Sequence, residues 1–169
     1  MADAENRFSD LVSYFEYLAT NHKAIGHTAS LKHFYRFELE EVLTASCMSI
    51  NYPALILEGY DFSYQDAQSD NIIKTRTGAF IIIDKVKDLK NFNEIHAVWD
   101  RCEKIGDDIL IRMRSDKRGR GIKVLRGFDL SDSRGSIFGV KQLGQYGIRF
   151  EFALGCVVES DIDESVWLT

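Results

Sequence analysis

The segment 92–114 constrains the fold more than any other part of the chain, because it carries one continuous apolar stripe at helical spacing. The stripe is made of residues that recur every three or four positions: Phe92, Ile95, Trp99, Cys102, Ile105, Ile109 and Met113. Asn91 and Glu94 have the spacing of a capping box at its start. The pattern predicts a long helix with a single buried face, which needs a second layer to pack against.

Two long strand candidates, 54–64 and 72–86, supply part of that second layer. Their apolar ends both lie away from the polar segment 65–71, which favours an antiparallel hairpin with a polar, protruding tip. In the first candidate, strict alternation places five side chains on one side. These are Ala54, Ile56, Tyr60, Phe62 and Tyr64.

Shorter patterns complete the predicted order of elements. Residues 3–22 are amphipathic at helical spacing, and 39–47 predict a short second helix, with one helix over the whole stretch 33–47 as the alternative. Further strands are predicted over 33–38, 122–130, 134–143 and 145–158. The last of these has one packed face, made of Tyr146, Ile148, Phe150, Phe152 and Leu154.

This order predicts an α+β fold, in which an antiparallel sheet with a long protruding hairpin carries two main helices on one face. The length of 169 residues fits a single domain over 1–158. An acidic C-terminal tail is predicted over 159–169.

The composition is typical of a globular protein, with 45% hydrophobic and 28% charged residues. The longest apolar runs are far shorter than a membrane span, so no membrane contact is expected. The three cysteines, Cys47, Cys102 and Cys156, are far apart and form no CxxC pair. This pattern predicts that each cysteine is a small buried apolar side chain. It also predicts a protein of a reducing compartment, and hence a cytoplasmic one.

The charge is concentrated in one segment, 112–126. Its bases are Arg112, Arg114, Lys117, Arg118, Arg120, Lys123 and Arg126. With the single acid Asp116, the segment carries +6 and the remainder of the chain −11. One interpretation is a solvated helix end, where bases are favoured by the helix dipole. The functional interpretations are contact with an acidic protein surface, another copy of this chain included, or binding of nucleic acid or another anion.

Motifs of the common enzyme classes are missing from the sequence. It contains no GxSxG, P-loop, GxGxxG or HExxH pattern, so no cofactor, metal or catalytic residue is assigned and no enzymatic activity is expected. Glu58 interrupts the apolar part of a predicted strand, and pairing with a base on a neighbouring strand is its favoured role. An enzyme with a pocket that lacks a motif, built around such a carboxylate, is a further alternative.

Four stretches give the chain a resemblance to small phage tail-terminator or tail-completion proteins. They are HFYRFELEEVL (33–43), YPALILEGYDFSY (52–64) followed by SDN (69–71), IHAVWDRCEKIGDDILIRM (95–113) and YGIRFEFAL (146–154). Members of that family assemble into rings, often of six subunits, that cap a tail tube or join it to the head. The resemblance implies a non-catalytic, homo-oligomeric assembly protein of a phage or prophage particle, with tail-tube or head–tail connector proteins as partners.

The resemblance also suggests how the charges would be used. Within a head-to-tail ring, Arg118 and Arg120 of one copy would face Asp66 and Asp70 at the hairpin tip of the next. The predicted subunit interface therefore consists of the seven bases of 112–126 together with these two aspartates.

Overall fold

The computed structural model of the chain describes residues 7–36, 50–66, 72–158, 165, 167 and 168. Within these residues, two helices and five strands form an α+β fold, as predicted. In chain order they are α1 (Phe8–Asn21), β1 (Phe34–Tyr35), β2 (Ala54–Asp66), β3 (Ile72–Lys85), α2 (Phe92–Gly119), β4 (Arg134–Val140) and β5 (Gln145–Val158). No helix of the described residues is long and apolar enough to cross a membrane.

The five strands form one sheet in the order β1-β2-β3-β5-β4. Four of them pair antiparallel, but β1 runs parallel to β2. The sheet is therefore mixed, whereas the sequence predicted a purely antiparallel one. A parallel pair needs a crossover of a dozen or more residues, and the stretch between Tyr35 and Ala54 is long enough to provide it.

Both helices pack on one face of the sheet and enclose the main core. Its centre is a set of aromatic rings from α1, β3 and β5: Phe15, Phe80, Phe150 and Phe152. The N-cap of α2 is Asn91, whose side chain accepts a hydrogen bond from the backbone N–H of Glu94, as its spacing predicted. The Glu94 carboxylate instead accepts from the backbone of Lys87 and Asp88, which ties β3 to the start of α2.

A β-bulge in β2 changes which side chains share a face. Leu57 pairs with Phe80 and Tyr60 pairs with Gly78, so one extra residue lies between these pairs on β2. After the bulge, Tyr60, Phe62 and Tyr64 lie on the helix side, with Leu57 and not with Ile56. The predicted common face of Ala54, Ile56, Tyr60, Phe62 and Tyr64 is therefore wrong.

The strand predicted over 122–130 is also wrong. This stretch contains the 3-10 turn Lys123–Leu125 and the start of a second, Leu130–Asp132. Gly121 and Gly127 on either side of the first turn have positive φ angles of 57° and 74°, which an extended strand does not permit. Val124, Leu125 and Phe128 are nevertheless buried in the core, so the apolar pattern reports burial and not strand geometry.

Several predicted features lie outside the described residues. These are the short helix over 39–47, most of the turn over 65–71, and most of the C-terminal tail over 159–169. Since that turn is among them, the long protruding hairpin stays a prediction. Of the tail, Ser165, Trp167 and Leu168 are described, and all three are exposed.

The two described cysteines differ in burial, and this difference predicts their reactivity. Burial, with the nearby Asp84 carboxylate, raises the pKa of Cys102 to about 12, whereas Cys156 is half-buried. In a Cys47→Ser variant we expect a thiol reagent to modify Cys156 in the native protein and Cys102 only after unfolding, because the thiolate is the reactive form. Mass spectrometry of the labelled protein tests this, and equal labelling of both residues would contradict it.

Candidate functional site

The end of the sheet formed by 61–66, 72–77 and 153–158, here called the distal end, carries exposed apolar side chains on both faces. Phe62 and Tyr64 on the helix side are 55% and 56% exposed. Ile73 and Val157, a directly opposed pair on the other side, are exposed as well. Since β5 pairs with β3 along its whole length, this end has three strands and not only the two of a hairpin.

On the helix side of the distal end, aromatic and basic side chains interleave. Tyr60, Phe62 and Tyr64 follow one another at every second position of β2, and Lys74 and Arg76 lie opposite Tyr64 and Phe62 on β3. The Lys74 ammonium is 4.1 Å from the ring centroid of Phe62 and 5.4 Å from that of Tyr64. These five residues, here called the aromatic–basic face, combine exposed rings with two cations.

Arg76 is the most buried cation of this face. The residue is only 8% exposed, and its Nε has no hydrogen-bond partner among the described residues. Its guanidinium carbon lies 5.4 Å from the ring centroid of Tyr60. A buried polar atom without a hydrogen-bond partner is costly, so Arg76 is suited to donate to a carboxylate or phosphate of a partner.

The basic segment 112–126 divides into two parts with different roles. The first part surrounds the buried Asp116. Arg112 Nε donates its N–H to both carboxylate oxygens at 2.9 Å, and the Tyr14 hydroxyl donates to one of them at 3.2 Å. Arg120 Nε lies 3.7 Å from the same carboxylate. Arg112 and Arg120 also donate to the Tyr17 hydroxyl. These two arginines therefore help to hold α1 against α2.

This cluster also sets the protonation of its members. The Asp116 hydrogen bond raises the pKa of Arg112. Burial and the charge of Asp116 together raise the pKa of Tyr14, which stays protonated as a hydrogen-bond donor. The cluster is therefore a neutral hydroxyl and two guanidinium groups around one carboxylate.

The second part of the basic segment extends to the distal end. Lys117 donates a hydrogen bond of 2.6 Å to the Phe128 carbonyl, and the Arg126 carbonyl accepts one of 3.0 Å from Gly155 N–H on β5. This contact needs Gly127, because a Cβ there would lie 2.2 Å from the Gly155 nitrogen. The remaining bases, Arg114, Arg118 and Lys123, are exposed.

The two aspartates predicted to face the basic segment in the next copy are placed only in part. Asp66 is the last residue of β2 and is exposed at the distal end. Asp70 lies outside the described residues. Asp66 thus lies at the same end of the molecule as Gly155, to which the Arg126 carbonyl of the basic segment is bound.

A groove of about 490 Å³ lies between α2 and the edge strand β4; we call it the α2–β4 groove. Its floor is apolar and is built by Leu110, Leu130, Ile137, Ile148 and Phe150. Ile137 on its edge is 60% exposed. Glu103 and Asp107, one helical turn apart on α2, and Arg134 on β4 also line the groove, and all three are exposed.

Glu58, the carboxylate singled out in the sequence, is buried and paired. Its Oε2 accepts a hydrogen bond of 2.7 Å from Arg149 Nε, and Arg149 also donates to Glu151. The base comes from β5, two strands away, and not from a neighbouring strand, because Arg149 reaches past β3. These side chains line a polar cleft of about 380 Å³ beside the bulge.

A further cavity, of about 580 Å³, lies between the end of α1 and the middle of α2. Several of its polar side chains have partners within the protein: His22 lies 3.6 Å from Asp108, and Arg112 is bound to Asp116. Lys104 pairs with the same Asp108, and its hydrogen bond lowers the pKa of that carboxyl. In the described part of the chain, no group of three histidine, cysteine or acidic residues is placed to bind a metal.

Sequence reasoning missed both the aromatic–basic face and the α2–β4 groove. Lys74 and Arg76 belong to the predicted strand 72–86, which was recognised by the apolar residues at its other end. The bulge then placed Tyr60, Phe62 and Tyr64 on the opposite side of the sheet from the one predicted. Gly59, inside a strand pattern, was the available signal, because an isolated glycine there suggests a bulge. The groove has no local signature, since its walls come from separate elements.

The chain was compared with models of protein families and with curated proteins. No family model matches it, and no curated protein does.

Proposed function

We propose that this chain is a non-catalytic assembly protein that docks to further copies of itself and to a partner through the distal end of its sheet. In the setting that the sequence resemblance implies, the copies form a ring at the end of a phage-like tail tube. The partners would then be tail-tube or head–tail connector proteins. The protein would act in the cytoplasm or within the assembled particle.

The exposed apolar side chains of the distal end carry this proposal. Four of them lie together at one end of the molecule: Phe62, Tyr64, Ile73 and Val157. A group of exposed apolar side chains of this kind usually marks a surface that binds another molecule. Exposed tyrosine and phenylalanine side chains beside a cation are typical of residues that dominate protein–protein binding energy.

Charge supports a contact between unlike surfaces. The cations Lys74, Arg114 and Arg118 lie on a chain whose net charge is −5, so one copy can present bases to the acids of another. A contact between two different surfaces of the same chain is heterologous, and it closes into a ring when the rotation per subunit permits.

We expect the wild-type chain to elute as an oligomer in size-exclusion chromatography with light scattering, and Phe62→Ser/Tyr64→Ser to elute as a monomer. Truncation of a central aromatic anchor typically costs about 2 kcal/mol of binding free energy, or about 30-fold in Kd. High salt should also lower the mass of the wild-type oligomer, because salt screens exposed charges.

Phe92→Ser is the matched control for this experiment. Phe92 is 70% exposed, but it begins α2, away from the distal end. This variant should keep the wild-type mass. A monomeric wild-type chain, or an oligomer that is unchanged by loss of Phe62 and Tyr64, would contradict the proposal.

A second candidate function, binding of nucleic acid or another anion, is favoured by one observation. Arg76 is buried, with an unpartnered Nε among the described residues, beside a row of rings on which bases can stack. This function predicts binding of a labelled oligothymidylate that weakens steeply with salt. Assembly predicts no such binding.

A further inference from the structure

We propose that the aromatic–basic face of one copy docks in the α2–β4 groove of the next copy. This inference rests on the proposed assembly function and names the two surfaces that meet. The occupant of the groove is thus a second copy of this chain, and the contact is heterologous, with a different surface from each subunit.

The aromatic–basic face has the chemistry of a surface that binds in an apolar groove. Phe62 and Tyr64 are more than half exposed and stand edge to face at 5.8 Å between ring centroids. Lys74 covers both rings with its ammonium. The face therefore offers an apolar body with positive charge directly beside it.

The α2–β4 groove offers the complement. Its apolar floor includes Leu110, Ile148 and Phe150, which would cover aromatic rings. Glu103 and Asp107 line it from α2 and the base Arg134 lines it from β4, so the groove carries a net charge of −1. Neither carboxylate is paired with a cation of the described residues. A net negative charge beside an apolar floor matches the Lys74 ammonium beside apolar rings, which is the electrostatic complementarity that favours one partner and one register.

The two surfaces belong to different parts of the subunit, so each copy can use both at once. The face is at the distal end on β2 and β3, whereas the groove lies along β4 at the edge of the sheet. Each copy then inserts into one neighbour and receives another. Such a chain of contacts closes into a ring or grows as a filament.

Two variants, each missing one surface, test the proposal. The face variant is Phe62→Ser/Tyr64→Ser, and the groove variant is Gly135→Leu with Asp107→Lys. Gly135 lines the groove, and a Cβ there would meet Phe150 and Ile148 at 3.5 and 3.6 Å, which is ordinary van der Waals contact. The substitution should therefore fill the groove without clashing with the backbone. Circular dichroism and chemical denaturation verify that each variant folds.

The expected result is that each variant alone has the mass of one chain, while their equimolar mixture has the mass of two. Only one combination in the mixture has both an intact face and an intact groove, so assembly stops at a dimer. As a second readout, Glu103→Lys/Asp107→Lys should lose assembly and recover it when mixed with Lys74→Glu. Both carboxylates are exposed on α2, so this pair of changes should leave the fold intact.

The other outcomes separate the inference from the proposed function. If the wild-type chain is an oligomer, the face variant is a monomer and both groove variants are still oligomers, then the groove is not the docking site. The proposed assembly function would be unaffected by that result. A wild-type chain that stays monomeric at every concentration would overturn both. An oligothymidylate that binds the wild type and not Lys74→Glu would assign the aromatic–basic face to nucleic acid, and would overturn the docking proposal.

Discussion

Gly106→Ala is expected to lower the free energy of unfolding by about 2 kcal/mol, and Gly106→Leu by more than about 4 kcal/mol. Gly106 lies in the middle of α2, where a Cβ would be 2.0 Å from the Cζ of Phe150. Phe150 cannot move away cheaply, because it is buried and stacked on Phe80 at 5.0 Å between centroids. Overpacking therefore outweighs the gain of about 1 kcal/mol that alanine brings over glycine within a helix.

Gly119→Ala is the matched control, monitored by urea denaturation of the same chain. Gly119 is the last residue of the same helix, and a Cβ there would meet no atom within 4 Å. Its substitution should leave stability unchanged or raise it by up to about 1 kcal/mol. Phe150→Leu should partly rescue Gly106→Ala by shortening the opposing side chain. A Gly106→Ala variant as stable as the wild type would show that α2 is not seated on Phe150 in this way.

Asp116→Ala is expected to lower the free energy of unfolding by about 3 kcal/mol. The substitution leaves the buried Tyr14 hydroxyl without its acceptor and removes the common partner of Arg112 and Arg120. Both arginines are partly exposed, with 41% and 58% of their side chains accessible, so water compensates them in part. The expected loss is therefore at the lower end of that for breaking a fully buried ion pair.

Asp100→Ala serves as the control, because Asp100 is an exposed carboxylate on the same helix. This substitution should change the free energy of unfolding by no more than about 0.5 kcal/mol. A double-mutant cycle with Tyr14→Phe isolates the hydroxyl. Once the hydroxyl is gone, Asp116→Ala should cost about 1 kcal/mol less. Additive effects of the two substitutions would show that Tyr14 and Asp116 do not interact.

The cluster around Asp116 also changes the interpretation of the basic segment. The sequence presented its seven bases as one charged unit, but Arg112 and Arg120 are bound within the subunit. Charge reversal at Arg118 and Arg120 together would therefore disturb the packing of α1 on α2 as well as any interface. Arg118→Glu alone is the cleaner test of a partner contact, because Arg118 is exposed.

Sequence reasoning missed the two candidate surfaces for different reasons. The aromatic–basic face depends on a single extra residue in β2, and a shift of one residue moves every later side chain to the opposite face. The α2–β4 groove depends on how far an edge strand stands from a helix that is close in space but not in sequence. Neither the position of the bulge nor that distance is fixed by local periodicity.

The sequence by itself determined the elements whose pattern is long and repeated. These are α1, α2, β2, β3 and β5, together with the packed face of β5. Burial of one face of a helix or strand requires apolar residues at a regular spacing, and that spacing can be recognised without knowing the neighbouring elements. Tertiary structure alone decided the parallel pairing of β1, the 3-10 turns over the predicted strand 122–130, and the partners of Arg112, Arg120 and Glu58. Those features arise from contacts between distant segments, where the free energy of burying a charge or a ring depends on what lies opposite it.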